Sequence, residues 1–251
     1  MFRADVLALA LVLSFTITIT TIYRCACDAE QPPPPPPPPP CKARVCGTVT
    51  ESPLFVNLTT MGRAAWVHWG DSTTTATFDP SHILTPLHIV GSEVKIKSYS
   101  NNPTAYSWGD ASSNPNVRMT STGQFLEPSV VDTGVSFSVH LPNASHTYVV
   151  RVYIGLYCAQ GTLTVTATTA HEDRYATNPV YTGTFNDTLG YNLIRDGVFT
   201  ITVNSTSINE TNSDGHSLQI NWTLTGNTGF CTRVKGNLEF QSVSVSDSTD
   251  A

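Results

Sequence analysis

Two stretches hold the residues whose types and spacing could do chemistry: Trp66-Val-His-Trp-Gly-Asp71 and Tyr106-Ser-Trp-Gly-Asp110. In an extended strand successive side chains point to opposite faces, so Trp66 and His68 share one face and Val67 and Trp69 the other. Each face then carries an indole. If only one face is core, the other indole is either covered by a loop or offered to solvent as a flat apolar platform. Such platforms stack against the CH faces of sugar rings. Tyr106 and Trp108 would add aromatic surface, while Asp71 and Asp110 would accept hydrogen bonds from hydroxyls. The competing expectation is that these aromatics fill the interior, where Trp is usually found.

Other constellations are weaker. Gly70-Asp71-Ser72 is shaped like a hydrolase nucleophile block, but that chemistry needs an α/β scaffold and a His three residues after an Asp. Asp79-Pro-Ser-His82 has the spacing and lies directly after the Ser, whereas Asp214-Gly-His216 has the wrong spacing. Asp71, Asp110, Glu127 and Asp132 are carboxylates that could hydrolyse glycosides if held at the required separation, which a sequence does not specify. His171-Glu-Asp173 could bind Ca²⁺, yet two adjacent acids in a polar stretch are more simply a solvated loop. No CxxC occurs and no His stands at zinc-ligand spacing. The sequence therefore predicts no catalytic residue, no metal and no cofactor.

The elements that must position these residues are strands. Period-two alternation marks Val135–Val139, Leu163–Ala167, Val198–Val203, Leu218–Trp222 and Leu238–Val245. Tyr148 to Leu156 is longer and more continuously apolar, as at the centre of a sheet. Gly, Asn, Pro and Asp punctuate the intervals, for example Asn101-Asn-Pro103 and Asn212-Ser-Asp-Gly215. No long segment shows helical periodicity beyond the first residues. The expected fold is all-β: a single two-sheet antiparallel sandwich, jelly-roll-like.

The chain's 251 residues suffice for such a sandwich. Charged residues make up 13%, about half the usual share, and hydrophobic ones 40%. Net charge is −6 without a basic cluster, which argues against nucleic acid as a partner.

Residues 1–26 read as a signal peptide: Arg3, an apolar run from Val6 to Ile22, then small residues. Because the run approaches spanning length, an uncleaved anchor is the alternative, and the only expected membrane contact. Residues 27–46 form a Cys-flanked stalk around nine consecutive prolines, Pro32 to Pro40, a polyproline II rod of about 28 Å. The sandwich is expected over 47–245 and a frayed polar tail over 246–251. Six sequons, at Asn57, Asn143, Asn186, Asn204, Asn209 and Asn221, suit a secreted or surface glycoprotein, although roughly half would arise by chance in so Asn- and Thr-rich a chain. In an oxidising compartment the expected disulfides are Cys158 with Cys231 and Cys41 with Cys46, leaving Cys25 and Cys27 unassigned.

Trp66-Val-His-Trp-Gly70, Asn101-Asn-Pro-Thr-Ala-Tyr-Ser-Trp108 and Arg151-Val-Tyr-Ile-Gly-Leu-Tyr-Cys-Ala-Gln-Gly-Thr-Leu-Thr164 occur in that order. Together they resemble a β-sandwich module of secreted bacterial multidomain proteins, often adjacent to carbohydrate-active or adhesive domains. The resemblance spans about Met61 to Val245 and implies the fold without assigning a catalytic residue. Ala65 stands where such modules usually have Asp, and Cys158 is an addition.

These features predict a non-enzymatic extracellular or surface glycoprotein domain whose partners are glycans or matrix components. A secreted glycosidase or lyase, or a purely structural spacer, are the alternatives.

Overall fold

The computed structural model describes residues 45–70, 76–91, 94–109, 117–127, 130–141, 146–169, 180–188, 193–204, 216–227 and 236–247, all within the unit Pro40–Ala251. The expected signal peptide, the proline rod and Cys25, Cys27 and Cys41 lie outside the described residues.

Every alternating run of the sequence is a strand. The first half of the chain forms β1 (Val45–Glu51), β2 (Phe55–Asn57), β3 (Ala65–His68), β4 (Ala76–Phe78), β5 (His88–Val90), β6 (Lys95–Tyr99), β7 (Ala105–Trp108) and β8 (Val117–Thr120). The second forms β9 (Gly123–Glu127), β10 (Gly134–Leu141), β11 (Thr147–Tyr157), β12 (Ala159–Thr169), β13 (Tyr181–Asn186), β14 (Arg195–Asn204), β15 (His216–Asn227) and β16 (Asn237–Asp247). One helical turn, α1 (Leu58–Met61), interrupts them. Its start is fixed by Asn57, whose side-chain oxygen accepts from the Thr60 amide at 3.2 Å.

An eight-stranded sheet runs β1-β14-β11-β16-β3-β4, and β9 with β6 continues along the edge of β16 that β3 leaves open. A five-stranded sheet runs β13-β12-β15-β10-β5. β11 is central, flanked by β14 and β16. The inward residues of both sheets, including Val152, Ile154, Leu156, Phe199, Leu163, Ile220 and Trp222, belong to one buried apolar cluster. The chain crosses between the sheets at Cys158, a single residue separating β11 from β12, with φ of 54°. A non-glycine residue in this left-handed region makes a sharp corner.

Three details depart from expectation. A third sheet, β2-β7-β8, lies outside the two large ones, and its β2–β7 pair is parallel, so the fold is not wholly antiparallel. β1 begins at Val45, inside the segment expected to be stalk. Ser246 and Asp247, expected in the tail, pair with Val149 and Tyr148.

No helix among the described residues is long and apolar enough to cross a membrane.

Candidate functional site

The aromatic block alternates as its sequence requires, but neither face is open. Trp66 is 3% and Trp108 4% exposed, and His68 and Tyr106 are fully buried. The Trp66 and Trp108 rings stand 5.8 Å apart, and His68 lies 5.0 Å from Tyr106 and 5.2 Å from Trp108. Trp66, Tyr106 and Trp108 form a second apolar cluster with Val56, Leu58, Tyr153 and Val198, built from the outer face of the eight-stranded sheet and the small sheet laid over it. Trp69 faces the other way into the main core, 5.7 Å from Phe137 and 6.0 Å from Phe240. The proposed sugar platform is thereby corrected. A residue so enclosed presents no ring face to a ligand, and both faces of β3 are core because the third sheet covers the outer one. Asp71 and Asp110 lie outside the described residues.

Beyond this cluster the same outer face becomes polar. Asp196, Gly155, Glu239, Phe125 and Lys97 are successive partners on β14, β11, β16, β9 and β6, so their side chains share a face. Gly155 is the gap in that row. A Cβ there would stand 2.6 Å from Glu239 Oε2, 2.9 Å from Gln241 Nε2 and 3.0 Å from Asp196 Oδ1, closer than packed atoms allow. The missing side chain lets the two carboxyl groups approach each other over bare backbone.

Gln241 reaches this place through a register shift in the pairing of β16 with β11, after Phe240. The shift leaves Glu239 and Ser242 on the outer face, with Phe240 and Val243 in the core. The Gln241 Nε2 donates toward Asp196 Oδ1 at 2.7 Å, Asn102 Oδ1 at 2.8 Å and the Tyr99 hydroxyl at 3.2 Å. Its carbonyl accepts the Tyr106 hydroxyl. Asp196 Oδ2 accepts the Thr104 amide at 2.8 Å. This network ties the loop before β7 to the sheet and leaves Asp196 with both oxygens engaged.

Glu239 is different. It is 3% exposed, and its Oε2 makes no hydrogen bond among the described residues. Burial pushes its carboxyl up to about 8, a bond with Tyr99 opposes that, and Asp196 and Asp187 add to it. Burial also raises Asp196, against hydrogen bonds from Thr104 and Gln241 that lower it. Burial thus favours the protonated, neutral form of Glu239.

Glu239 lines a cleft of about 200 Å³ together with Tyr99, Asn101, Phe125, Tyr157, Ile194 and Asn237. Tyr99 and Phe125 form one wall, their rings 6.3 Å apart and inclined by 59°. Tyr157 and Asn237 are cross-strand partners at the ends of β11 and β16. Three aromatic rings, two amides and one carboxyl thus surround a shallow hollow. This is a set that can stack on a ring and hydrogen-bond its substituents.

The remaining sequence candidates do not converge. Glu127 pairs with Lys97 at the surface, and Asp132 sits in an exposed turn with φ of 69°. Asp79 accepts from the Ile83 and Leu84 amides at 2.7 and 2.9 Å, which makes it a turn residue and not a partner for His82. Ser72, His171, Glu172, Asp173, Asp214 and Cys231 lie outside the described residues. Cys46 and Cys158 are each disulfide-bonded. Of the sequon asparagines, Asn57 and Asn186 are exposed, Asn204 and Asn221 are half-buried, and Asn143 and Asn209 lie outside the described residues. No group of three or more His, Cys, Asp or Glu among the described residues is placed to hold a metal ion.

Sequence reasoning passed over every residue of the cleft. One signal was present: Phe240 and Val243 are three apart where the rest of β16 alternates by two, the mark of an inserted residue.

No family model matches the chain, and no curated protein matches it. Among solved structures it is similar to the enzymatically active domain of bacteriophage CBA120 tailspike protein 4, at 12% identity and a TM-score of 0.35. The match covers 66% of this chain and 20% of that one, so the chain spans about a fifth of that structure's length. Likeness at this level carries nothing about activity.

Proposed function

We propose that this chain is an extracellular glycan-binding domain and that the Glu239 cleft receives a sugar ring. The cleft is the observation that carries the reading. Its volume, about 200 Å³, is below the range usual for drug-sized ligands and suits a single ring. Tyr99, Phe125 and Tyr157 supply apolar faces, while Asn101 and Asn237 supply donors and acceptors for hydroxyls. Asn57 and Asn186, both exposed, are the sequons best placed to carry glycans of their own.

The two large sheets are taken as the faces of a jelly-roll-like sandwich. Their shared core and the crossing at Cys158 support that assignment. Two separate disulfides staple it. Cys46 lies opposite Thr202, whose partner on β11 is Val149, so it is about 30 Å from Cys158 along that strand. That is far beyond the reach of one bond. Cys158 pairs with Cys231, and Cys46 with Cys41.

The test is a glycan array on the 251-residue chain, followed by affinities for Phe125→Ala and Tyr157→Ala. Loss of one stacked ring should weaken binding about tenfold. Binding of no glycan, or unchanged affinity in both variants, would contradict the reading.

Glycoside hydrolysis is the second reading, favoured by the Asp196 and Glu239 carboxyl groups facing over Gly155. Glu239 has the protonation of a general acid. Asp196, with both oxygens bound and outside the cleft lining, is poorly placed as its partner. Release of shortened oligosaccharides by the parent but not by Glu239→Gln would favour hydrolysis over simple binding.

A further inference from the structure

The alternation of β2 buries Val56 among Trp66, Tyr106 and Trp108 and turns Phe55 and Asn57 outward. Phe55 is 48% exposed, a large aromatic on the outer face of the small sheet. Two residues on, Asn57 opens the sequon Asn57-Leu-Thr59. Among the six sequons only this one has an aromatic two residues before its asparagine; the others have Leu141, Thr184, Thr202, Ser207 and Gln219 there. Side chains two apart on a strand stand on one face about 7 Å from each other, so a sugar on Asn57 is within reach of the Phe55 ring. The Asn57 Oδ1 accepts the Thr60 amide at 3.2 Å as the cap of α1, while its Nδ2 makes no hydrogen bond among the described residues. N-glycosylation uses Nδ2 and leaves the carbonyl oxygen in place, so cap and glycan are compatible. Thr59 donates to the Gly109 carbonyl at 2.8 Å and accepts the Gly109 amide at 3.0 Å, across 50 positions of sequence. In the folded chain the sequon hydroxyl is therefore engaged, and glycan transfer belongs to the nascent chain.

We infer that Asn57 carries an N-linked glycan whose first sugar, an N-acetylhexosamine, stacks on the outward Phe55 ring and covers it. The CH face of the sugar removes the exposed ring from water. β2 is an edge strand of the sheet that closes over Trp66 and Trp108, so the stacked sugar holds that cover in place and shields its edge from pairing with other chains. The oligosaccharide comes from a lipid-linked diphosphate donor. The bond from C1 of the first sugar to the phosphate oxygen breaks, a bond from C1 to Nδ2 forms, and the proton displaced from Nδ2 goes to the departing lipid diphosphate. The inference needs passage through a glycosylating compartment and is independent of whether the Glu239 cleft binds a sugar.

The experiment is secretion of the 251-residue chain from a cultured eukaryotic cell, as the parent, Asn57→Asp, Phe55→Ala and the double variant. Asp keeps the cap and cannot carry the glycan. Glycopeptide mass spectrometry should find Asn57 occupied in the parent. With each glycosylated chain purified in its occupied form, urea denaturation should show Asn57→Asp lowering the folding equilibrium constant about fivefold in the parent and leaving it unchanged in the Phe55→Ala background. An unoccupied Asn57 in the secreted parent overturns the assignment. A loss of equal size in both backgrounds, or no loss in either, overturns the stacking. Should Phe55→Ala not fold, nuclear Overhauser contacts between the Phe55 ring and the first sugar of the parent decide: their presence supports the stacking and their absence overturns it. A glycan array without binding changes none of these outcomes, so failure of the cleft reading and failure of this one are told apart.

Discussion

Glu239 and Asp196 stand on strands that do not touch, separated by β11, and meet only because the residue between them is Gly155. Two acids, a bulged glutamine and one glycine thereby make a buried polar patch on a sheet that is otherwise apolar on its inner side. Most of what can be tested about this protein follows from that patch.

Gly155→Ala should be severe for so small a change. The added methyl would meet the Glu239 Oε2 at 2.6 Å, the Gln241 Nε2 at 2.9 Å and the Asp196 Oδ1 at 3.0 Å, the last two held by their mutual hydrogen bond. A loss of about 1–3 kcal/mol is expected from overpacking, measured by urea denaturation, with weakened ligand binding alongside. A variant as stable as the parent would mean that the carboxyl groups do not close over the glycine.

Stability should fall with rising pH across a defined window. Below the ordinary carboxylate value of 4.5, Glu239 is protonated in both folded and unfolded chains. Above it the unfolded chain ionises while the folded one holds its proton up to about 8. Folding therefore loses up to about 1.4 kcal/mol per pH unit through that interval and levels off beyond it. Asp196, raised by burial in the same direction, adds to the slope at its lower end. Glu239→Gln should flatten the profile and be the more stable protein at alkaline pH. Denaturant midpoints measured through the window check this, and an unchanged slope in the variant would contradict it.

Trp66→Ala and Trp108→Ala should each cost about 3–5 kcal/mol, as removal of enclosed aromatics does. Trp66→Phe should retain most of the stability and all of the ligand affinity. A Trp66→Ala variant of near-parental stability that had lost binding would restore the platform which the covering sheet excludes.

Cys158→Ser should lower stability by about 2–4 kcal/mol, because it releases the corner between β11 and β12. The Cys158 amide also donates to Asp187 Oδ2 at 2.7 Å, so loosening the corner should perturb Tyr157 and the cleft. A melting curve unmoved by the substitution would show that the bridge does not hold this turn.

How much of this was legible in the sequence depends on what each residue depends on. Strand identity and the inward and outward sense of Trp66, Val67, His68 and Trp69 follow from a period of two, which is local. So is the central position of β11, written in its unbroken apolar run. The third sheet was not legible. β2 pairs with β7 across about fifty intervening residues, and nothing in Phe55-Val-Asn57 announces that it will cover Trp66. The cleft was hidden for the same reason. Tyr99, Phe125, Tyr157 and Glu239 come from four strands, and only the order of β6, β9, β16 and β11 gathers them. Tyr157 and Asn101 even lay within stretches singled out for resemblance, where they counted as pattern and not as a site.

The most direct test of the central claim is hydrogen–deuterium exchange on the 251-residue chain with and without a saturating oligosaccharide selected on the glycan array. Protection confined to β9, the end of β11 near Tyr157 and the start of β16 near Glu239 is the expected result. Protection centred on residues 66–69 and 106–108, or none anywhere, would contradict the assignment of the Glu239 cleft as the ligand site.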